Sequence, residues 1–258
     1  MSDVSFHKWA LVVAHPGHEL RAFHFLERTR PFVSVLTDGS GSHGVPRLDE
    51  TTCLLDESGA TRDTVYGCFT DAEAYAHLMA RDNTPFVEAA YRLSQSFEHH
   101  GITAVLADAA EGYNPVHDIC RGIAEASVTL CGPRAPLLYE LDLVGHPNGS
   151  GPGIRLTLDD RAFARKLHAV SHYTALTAEA TAAFDRHGTE AFRTEFLRRS
   201  TPGVLLPPDH VPYYERVGHE RVGQGRYRSV LRYGEHVRPV LAALLALRVH
   251  TVSVNTLH

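Results

Sequence analysis

Two histidines three positions apart follow a short apolar run near the amino terminus. Residues 9–14 read WALVVA and continue into His15, Pro16, Gly17 and His18. A short apolar run with β-branched residues before a turn is typical of a buried strand, and proline suits the first position of a helix. We therefore expect His15 at the carboxyl end of a strand and His18 one turn further along on the same side. Two imidazoles placed in this way predict part of a divalent metal site.

A third imidazole is expected from a different segment. A catalytic zinc usually takes three protein ligands and keeps one position for water or substrate. Asn114 is a favourable N-cap and Pro115 a favourable first helical residue, so His117 should fall in the first turn of the helix that follows the apolar run 102–107. Open α/β sheets bind ligands at the carboxyl ends of their strands. His117 is thus the best candidate for the third ligand.

The elements that would carry these residues alternate along the first 145 positions. Strand-like runs occur at 9–14, 31–36, 64–69, 102–107 and 137–143, with helical segments between them. This order predicts an α/β protein with a mostly parallel sheet and helices on both faces. After the Gly/Pro/Asn-rich segment 145–153, we expect helices at 159–183, 188–199 and 227–248, and an irregular stretch at 202–218. We expect one domain over 1–258, with a core at 1–145 and helical additions at 146–258 packed on it.

Composition narrows the classes of partner. The 258 residues carry a formal charge of −5, and the 25 basic residues do not cluster, so we expect no nucleic-acid partner. The apolar run 240–247 is too short to span a bilayer, and the first residues lack the pattern of a secretion signal. The four cysteines show no CxxC spacing. We therefore expect a cytoplasmic protein with reduced thiols and no membrane partner.

Several segments together resemble one enzyme family. Residues 14–19, AHPGHE, resemble the AHPDDE signature of the PIG-L/LmbE deacetylases, and residues 114–117, NPVH, resemble the later H-P-D-H element. Between them, Thr37-Asp38-Gly39 resembles the family's T-D/L-G loop, Arg47 with Glu50 resembles its R-x-x-E helix, and residues 67–73, which include Asp71, resemble its substrate-side loop. The order and spacing hold over roughly residues 8–145.

The resemblance implies a fold, a metal and a reaction. Members have a Rossmann-like fold and a zinc site whose ligand positions correspond to His15, His18 and His117, and they hydrolyse N-acetyl groups, typically of glucosamine-containing compounds. It also implies a small-molecule substrate and a homo-oligomer. Three neutral histidines leave the full charge on the metal, zinc or another divalent ion such as iron, and lower the pKa of bound water to about 7.

The chain departs from the family pattern at three positions. Gly17 replaces the aspartate that acts as general base, and Val116 replaces the aspartate that orients the next catalytic residue. Asn114 replaces a histidine that stabilises the oxyanion, and its amide can still donate a hydrogen bond there. Loss of a general base usually costs about 10² to 10⁴ in rate. We expect Asp38 to replace the missing base; the alternatives are Glu19, Asp118, Glu111 and His43.

Other candidate residues each allow two interpretations. Arg47 is expected to contact substrate or to be a solvated residue at a helix start, and Asp71 to contact substrate or to cap a helix. Tyr113 is expected either to line the substrate pocket or to pack in the core. Asn114 is expected to be a helix cap, an oxyanion donor, or both.

Three functions are compatible with these residues. The leading hypothesis is a metal-dependent hydrolase of an N-acyl, N-acetyl-type amide on a sugar-like or specialised metabolite. The second is a metal enzyme of small-molecule biosynthesis with ester, other acyl or non-hydrolytic chemistry, because the family's base is absent. The third is a catalytically silent relative that binds a small molecule.

Overall fold

A seven-stranded sheet organises the chain. The computed structural model describes residues 4–41, 44–203, 205–207 and 210–255, with no side chains for 248–255. The strands are β1 (Trp9–Val13), β2 (Phe32–Thr37), β3 (Thr61–Phe69), β4 (Ala104–Asp108), β5 (Leu137–Leu141), β6 (Gly153–Thr157) and β7 (Thr194–Arg199). Their order is β3-β2-β1-β4-β5-β7-β6. The first five are parallel, and β7 pairs antiparallel with both β5 and β6.

Helices cover both faces of this sheet. In the described part of the chain they are α1 (Phe23–Thr29), α2 (Leu48–Ser58), α3 (Asp71–Ala80), α4 (Thr84–His100), α5 (Pro115–Leu130), α6 (Asp160–His172), α7 (Thr177–His187), α8 (Tyr213–Gly223) and α9 (Arg238–Asn255). Alternate residues of β1 pack into two cores. Val12 joins the cluster that contains Ile119 of α5 and Leu241 of α9. Leu11 joins the cluster that contains Phe25 of α1.

The predicted α/β class with a mostly parallel, Rossmann-like sheet is confirmed, with five parallel strands in the first 145 residues. Residues 146–258 add the strands β6 and β7 as well as the expected helices. Residues 188–199, predicted as a helix, form a 3-10 turn, Thr189–Arg193, and then strand β7. Strand pairing with β5 and β6 outweighs the weak local helix preference of this segment.

Three further boundaries differ from expectation. The predicted helix 159–183 breaks into α6 and α7 at Tyr173, which is buried and bonded through its hydroxyl to Thr51. The stretch 202–218, predicted to be irregular, contains the start of α8 at Tyr213. The last helix begins at Tyr233 as a short π-helical turn rather than at 227, and it continues as α9 from Arg238, one residue before Pro239.

Of the helices that the structure describes, none is both long enough and apolar enough to cross a membrane.

The carboxyl ends of β1, β2 and β4 lie side by side at one edge of the sheet. The residues that follow these strands therefore meet at that edge.

Candidate metal centre

The three predicted histidines come together at the carboxyl edge of the sheet. His15 follows β1, His18 opens the 3-10 turn His18–Ala22, and His117 is in the first turn of α5. The ring centroids are 5.2 Å apart for His15–His18, 5.2 Å for His15–His117 and 4.6 Å for His18–His117. Imidazoles bound at about 2.1 Å to one tetrahedral zinc would have centroids about 5 Å apart. The spacing of the rings fits a shared ion.

Carboxylates orient two of these rings. Nδ1 of His15 lies 2.9 Å from Oδ1 of Asp71 and 2.8 Å from Oγ1 of Thr37. Nδ1 of His18 lies 2.7 Å from Oδ2 of Asp108. An ionised carboxylate only accepts hydrogen bonds, so each ring donates from Nδ1 and keeps the lone pair on Nε2 free. This arrangement is typical of metal-binding histidines.

Sequence reasoning missed Asp108. It ends β4 and is fully buried, and the same Oδ2 that pairs with His18 also accepts from the backbone N–H of Ala14 at 2.7 Å. One carboxylate therefore joins the turn after β1 to the end of β4. The signal that could have identified it is an acidic residue directly after a buried strand, at the same edge as His15.

The electrostatics keep the imidazoles of His15 and His117 neutral. Burial lowers the pKa of His15, against the opposing hydrogen bond with Asp71. Burial and the nearby His18 and His15 rings hold the pKa of His117 well below its usual value. Although burial alone would raise the pKa of Asp71, its hydrogen bond with His15 holds that pKa well below the usual range. Neutral imidazole is the form that binds metal.

A metal fits the chemistry of these donors. Nε2 of His15 and Nδ1 of His117 are buried and have no hydrogen-bond partner among the described residues, and buried polar atoms normally have one. Among those residues, however, no group of three or more His, Cys, Asp and Glu side chains is already arranged to hold a metal ion. The rings are gathered, but their nitrogens are not set in coordination geometry.

Gly17 has a conformation that excludes the side chain expected from the family pattern. Its φ is +100°, and a Cβ built there would lie 2.0 Å from Cδ1 of Leu176. L-residues rarely adopt such a backbone conformation. The loss of the family's base is therefore accompanied by a local backbone and a neighbouring side chain that suit glycine.

The structure places the two predicted catalytic residues in local turns. Oδ1 of Asp38 accepts from the backbone N–H of Ser40 at 2.9 Å. Asn114 is the N-cap of α5, as predicted, and its Oδ1 accepts from the N–H of Val116 at 2.8 Å. This bond occupies the amide oxygen and leaves the amide hydrogens of Asn114 for another partner.

The three predicted substrate-binding residues differ in their positions. Asp71 and Tyr113 line a cavity of about 730 Å³ that also contacts His15 and Asn114. Asp71 is held in place by His15 and by the backbone N–H of Gly41. Arg47 does not line this cavity. Its buried Nε has no hydrogen-bond partner among the described residues.

The carboxylates that were alternative candidates for the base already accept hydrogen bonds from neighbouring segments. The two oxygens of Glu19 accept from Gly17 N–H and the Thr51 hydroxyl, so Glu19 braces the turn. Those of Glu111 accept from the backbone of residues 143–145. Asp118 accepts from Gly112 N–H through Oδ1, and burial raises the pKa of its carboxyl to about 7. His43 lies outside the described residues.

The fold matches known deacetylases. No family model and no curated protein matches the chain. Among solved structures, the A40926 pseudoaglycone deacetylase Dbv21 is 18% identical with a TM-score of 0.53, over 76% of this chain and 99% of that one. A zinc-inhibited form of the teicoplanin deacetylase Orf2 is 14% identical with a TM-score of 0.53, over 76% of this chain and 100% of that one. The chain has the PIG-L/LmbE deacetylase fold.

The third similar structure, which also has the PIG-L/LmbE fold, belongs to a protein whose name states no activity. This conserved protein from Thermus thermophilus is 18% identical, with a TM-score of 0.53 over 79% of this chain and 99% of that one. At such identities the likeness establishes the fold of the chain. The chemistry must be argued from the site.

Proposed function

We propose that this protein is a metal-dependent hydrolase of an N-acetyl-type amide on a sugar-like or specialised small metabolite. The observation that carries the proposal is the grouping of His15, His18 and His117 at the edge where this fold binds ligands, with ring centroids 4.6–5.2 Å apart. Relatives by fold are deacetylases, which supports the reaction class, and one was solved in a zinc-inhibited form, which supports binding of a divalent ion.

The chain's own residues have the following roles in this proposal. His15, His18 and His117 would hold the ion, and Asp71 and Asp108 would keep the first two rings in the required tautomer. When bound, such a metal polarises an acyl oxygen and makes water more acidic. The amide hydrogens of Asn114 would donate to the oxyanion, and Asp38 would accept the proton from water. The four unpaired cysteines support a reducing compartment, the cytoplasm.

One observation favours a second candidate, a metal enzyme with different acyl chemistry. The conformation of Gly17, with φ +100° and Leu176 against it, leaves no carboxylate where the family has its base. An ester is hydrolysed more readily than an amide, so it depends less on base assistance. Ester or other acyl chemistry is therefore the alternative for the same three histidines.

The first experiment measures metal content and reaction class together. We expect one equivalent of zinc or iron in protein purified without chelator, and hydrolysis of members of a panel of N-acetyl sugars. Faster turnover of matched acetyl esters would support the second candidate. Protein that holds no stoichiometric metal after incubation with either ion would contradict both, and would favour a silent small-molecule binder.

His117→Ala tests the ligand assignment. The substitution removes one of three donors, so most of the bound metal should be lost. His99→Ala is the control, because His99 is exposed at the end of α4, on the opposite edge of the sheet. Retention of a full equivalent of metal in H117A would refute the assignment.

Asp38→Asn tests the proposed base. The amide cannot accept a proton, but its oxygen can still accept from Ser40 N–H. We expect turnover to fall about 10²-fold or more while metal content stays at the wild-type level. Unchanged turnover would exclude Asp38 as the base.

A further inference from the structure

The cavity beside the histidines has an aromatic outer wall. Its volume is about 730 Å³, within the usual range for small-molecule sites. Five tyrosines line it, from α3, α8 and the segments before α5 and after α8. Tyr113 and Tyr213 stack with ring centroids 4.9 Å apart and planes 4° apart. The hydroxyl of Tyr214 is buried and has no hydrogen-bond partner among the described residues.

The same wall is positively charged. Arg221, Arg226 and Arg228 line the cavity, and the one acidic side chain in the lining is Asp71. That carboxylate already accepts from His15 and from the N–H of Gly41. Within the residues described by the structure, none of the three guanidinium groups forms an ion pair with a carboxylate. The basic residues were expected not to cluster, but these three form a local concentration of positive charge in a chain of net charge −5.

The segment that carries these arginines is fastened to α8. The backbone N–H groups of Arg226 and Tyr227 donate to the carbonyl of Arg221, at 2.9 and 3.3 Å. Nη1 of Arg221 donates to the hydroxyl of Tyr227 at 2.6 Å, and its guanidinium lies over that ring. Arg226 and Arg228 therefore flank a ring that is held in position. The Tyr227 ring is thus preorganised for a ligand.

Each group in the wall indicates a ligand chemistry. Arginine binds carboxylates and phosphates through paired N–H groups. Tyrosine faces pack against planar rings. Burial raises the pKa of Tyr75 to about 12, so this phenol stays protonated and remains a donor.

We propose that the cavity binds an aromatic oxyanion, which is a molecule with a planar ring and a carboxylate or phosphate group. Arg226 and Arg228 would hold this anionic group, whichever of the two it is. The inference rests on the proposed function only in taking this molecule as the N-acyl substrate. The acyl group would then lie toward His15 and Asn114, and the anion toward the outer wall. The binding itself requires neither metal nor turnover.

Calorimetric binding to metal-free protein tests the inference. The probes are N-acetyl-tyrosine, a carboxylate; N-acetyl-tyrosinamide, its neutral analogue; phenyl phosphate; and N-acetylglucosamine, which is neutral and not aromatic. We expect an aromatic anion to bind about tenfold or more tightly than the neutral amide, and added salt to weaken only the anions. The two anionic probes distinguish a carboxylate from a phosphate ligand.

Variants assign the effect to the wall. Arg226→Gln with Arg228→Gln should weaken the preferred anion about tenfold and leave the neutral amide unchanged. Tyr227→Leu should weaken all aromatic probes. The control, Arg134→Gln with Arg161→Gln, changes two exposed arginines outside the lining and should change nothing.

Three results would overturn the inference: equal affinity for the anion and the amide, unchanged anion affinity in the double arginine variant, or no saturable binding of either anion in the millimolar range. Because these measurements use metal-free protein, they can fail while the N-acetyl panel is hydrolysed. They can equally succeed in a protein that hydrolyses nothing. Failure of the inference and failure of the proposed function are thus separable.

Discussion

Single side chains decide whether the three imidazoles can act together. The rings of His15 and His18 have their Nδ1 atoms on the carboxylates of Asp71 and Asp108. Each of those carboxylates also accepts from a backbone N–H, of Gly41 and Ala14. The orientation of the rings is therefore fixed by the backbone of neighbouring segments as well as by their own rotamers. This coupling makes the carboxylates testable apart from the histidines.

Asp108→Asn should weaken metal binding about 10- to 100-fold. Oδ2 of Asp108 accepts from both Ala14 N–H and the His18 ring, and an amide oxygen carries no charge, so the hydrogen bond that orients the His18 ring becomes weaker. The dissociation constant is measured by competition with a chelator, and circular dichroism checks the fold. Asp56→Asn, at an exposed position on α2, is the matched control. An unchanged constant in D108N would show that His18 does not depend on this carboxylate.

Gly17→Ala should destabilise the protein more than Gly101→Ala. Both glycines have positive φ, +100° and +62°, but a Cβ at 17 meets Leu176 at 2.0 Å whereas nothing lies within 4 Å of one at 101. The backbone cost is about 1–2 kcal/mol at either site, and the clash adds to it at 17. Urea unfolding measures the difference. Equal losses would mean that Leu176 moves away without cost, and G17D would then be a realistic way to restore a carboxylate.

The sequence was sufficient to predict that the three histidines lie close together, but not which carboxylates orient their rings. Positions 15, 18 and 117 were found because each follows a recognisable strand or helix-start signal. Asp108 carries the same positional signal, yet its pairing with His18 depends on the register between β1 and β4, which only the folded sheet defines. The arginine wall was missed because its residues lie more than 100 positions from His117.

At the scale of elements, strand β7 shows why local pattern failed in the second half of the chain. The segment TEFLRR has no clear alternation, and it becomes a strand because β5 and β6 provide partners on both sides. Glu195, its second residue, is buried. It accepts from Lys166 of α6 at 2.8 Å and from the backbone N–H groups of His24 and Phe25 at the start of α1. Three elements thus meet at one carboxylate.

Lys166→Met should cost about 3–5 kcal/mol, because it leaves the buried charge of Glu195 without its cation. Adding Glu195→Gln should recover part of this loss, since it removes the unpaired charge and its amide oxygen still accepts from one of the two backbone N–H groups. Chemical unfolding measures both variants. Arg165→Met, which removes an exposed partner of Glu27, is the control and should cost about 1 kcal/mol or less. A loss in K166M as small as in the control would contradict the structural role of the pair.

At the scale of the whole molecule, the carboxyl-terminal half contributes to the central sheet and to the cavity and does not merely pack on their outside. Its strands β6 and β7 extend the sheet, and α8 supplies part of the cavity wall. The predicted homo-oligomer remains a prediction that light scattering can check. About three quarters of the chain matches the fold of deacetylases of known structure. The shared fold therefore extends beyond residues 8–145, the region that the sequence motifs identified.

Removal of the last helix, α9, is the sharpest test of whether the carboxyl-terminal half is needed for a stable core. Val240, Leu241 and Leu244 of α9 are fully buried in the cluster that also contains Ile119 of α5, two residues from His117. Burial of such side chains contributes about 1.5–3 kcal/mol each, a large share of a typical total stability of about 5–15 kcal/mol. A chain that stops after Val237 should therefore lack a cooperative unfolding transition.

Leu241→Ala is the milder form of the same test and should cost about 2–5 kcal/mol. Ala242→Ser, at the neighbouring exposed position, is its control and should cost little. Because α9 packs against α5, the L241A protein should also bind metal less tightly when measured near its unfolding midpoint, where the folded fraction limits binding. A truncated chain that unfolds cooperatively would show instead that the sheet and α5 are stable without α9.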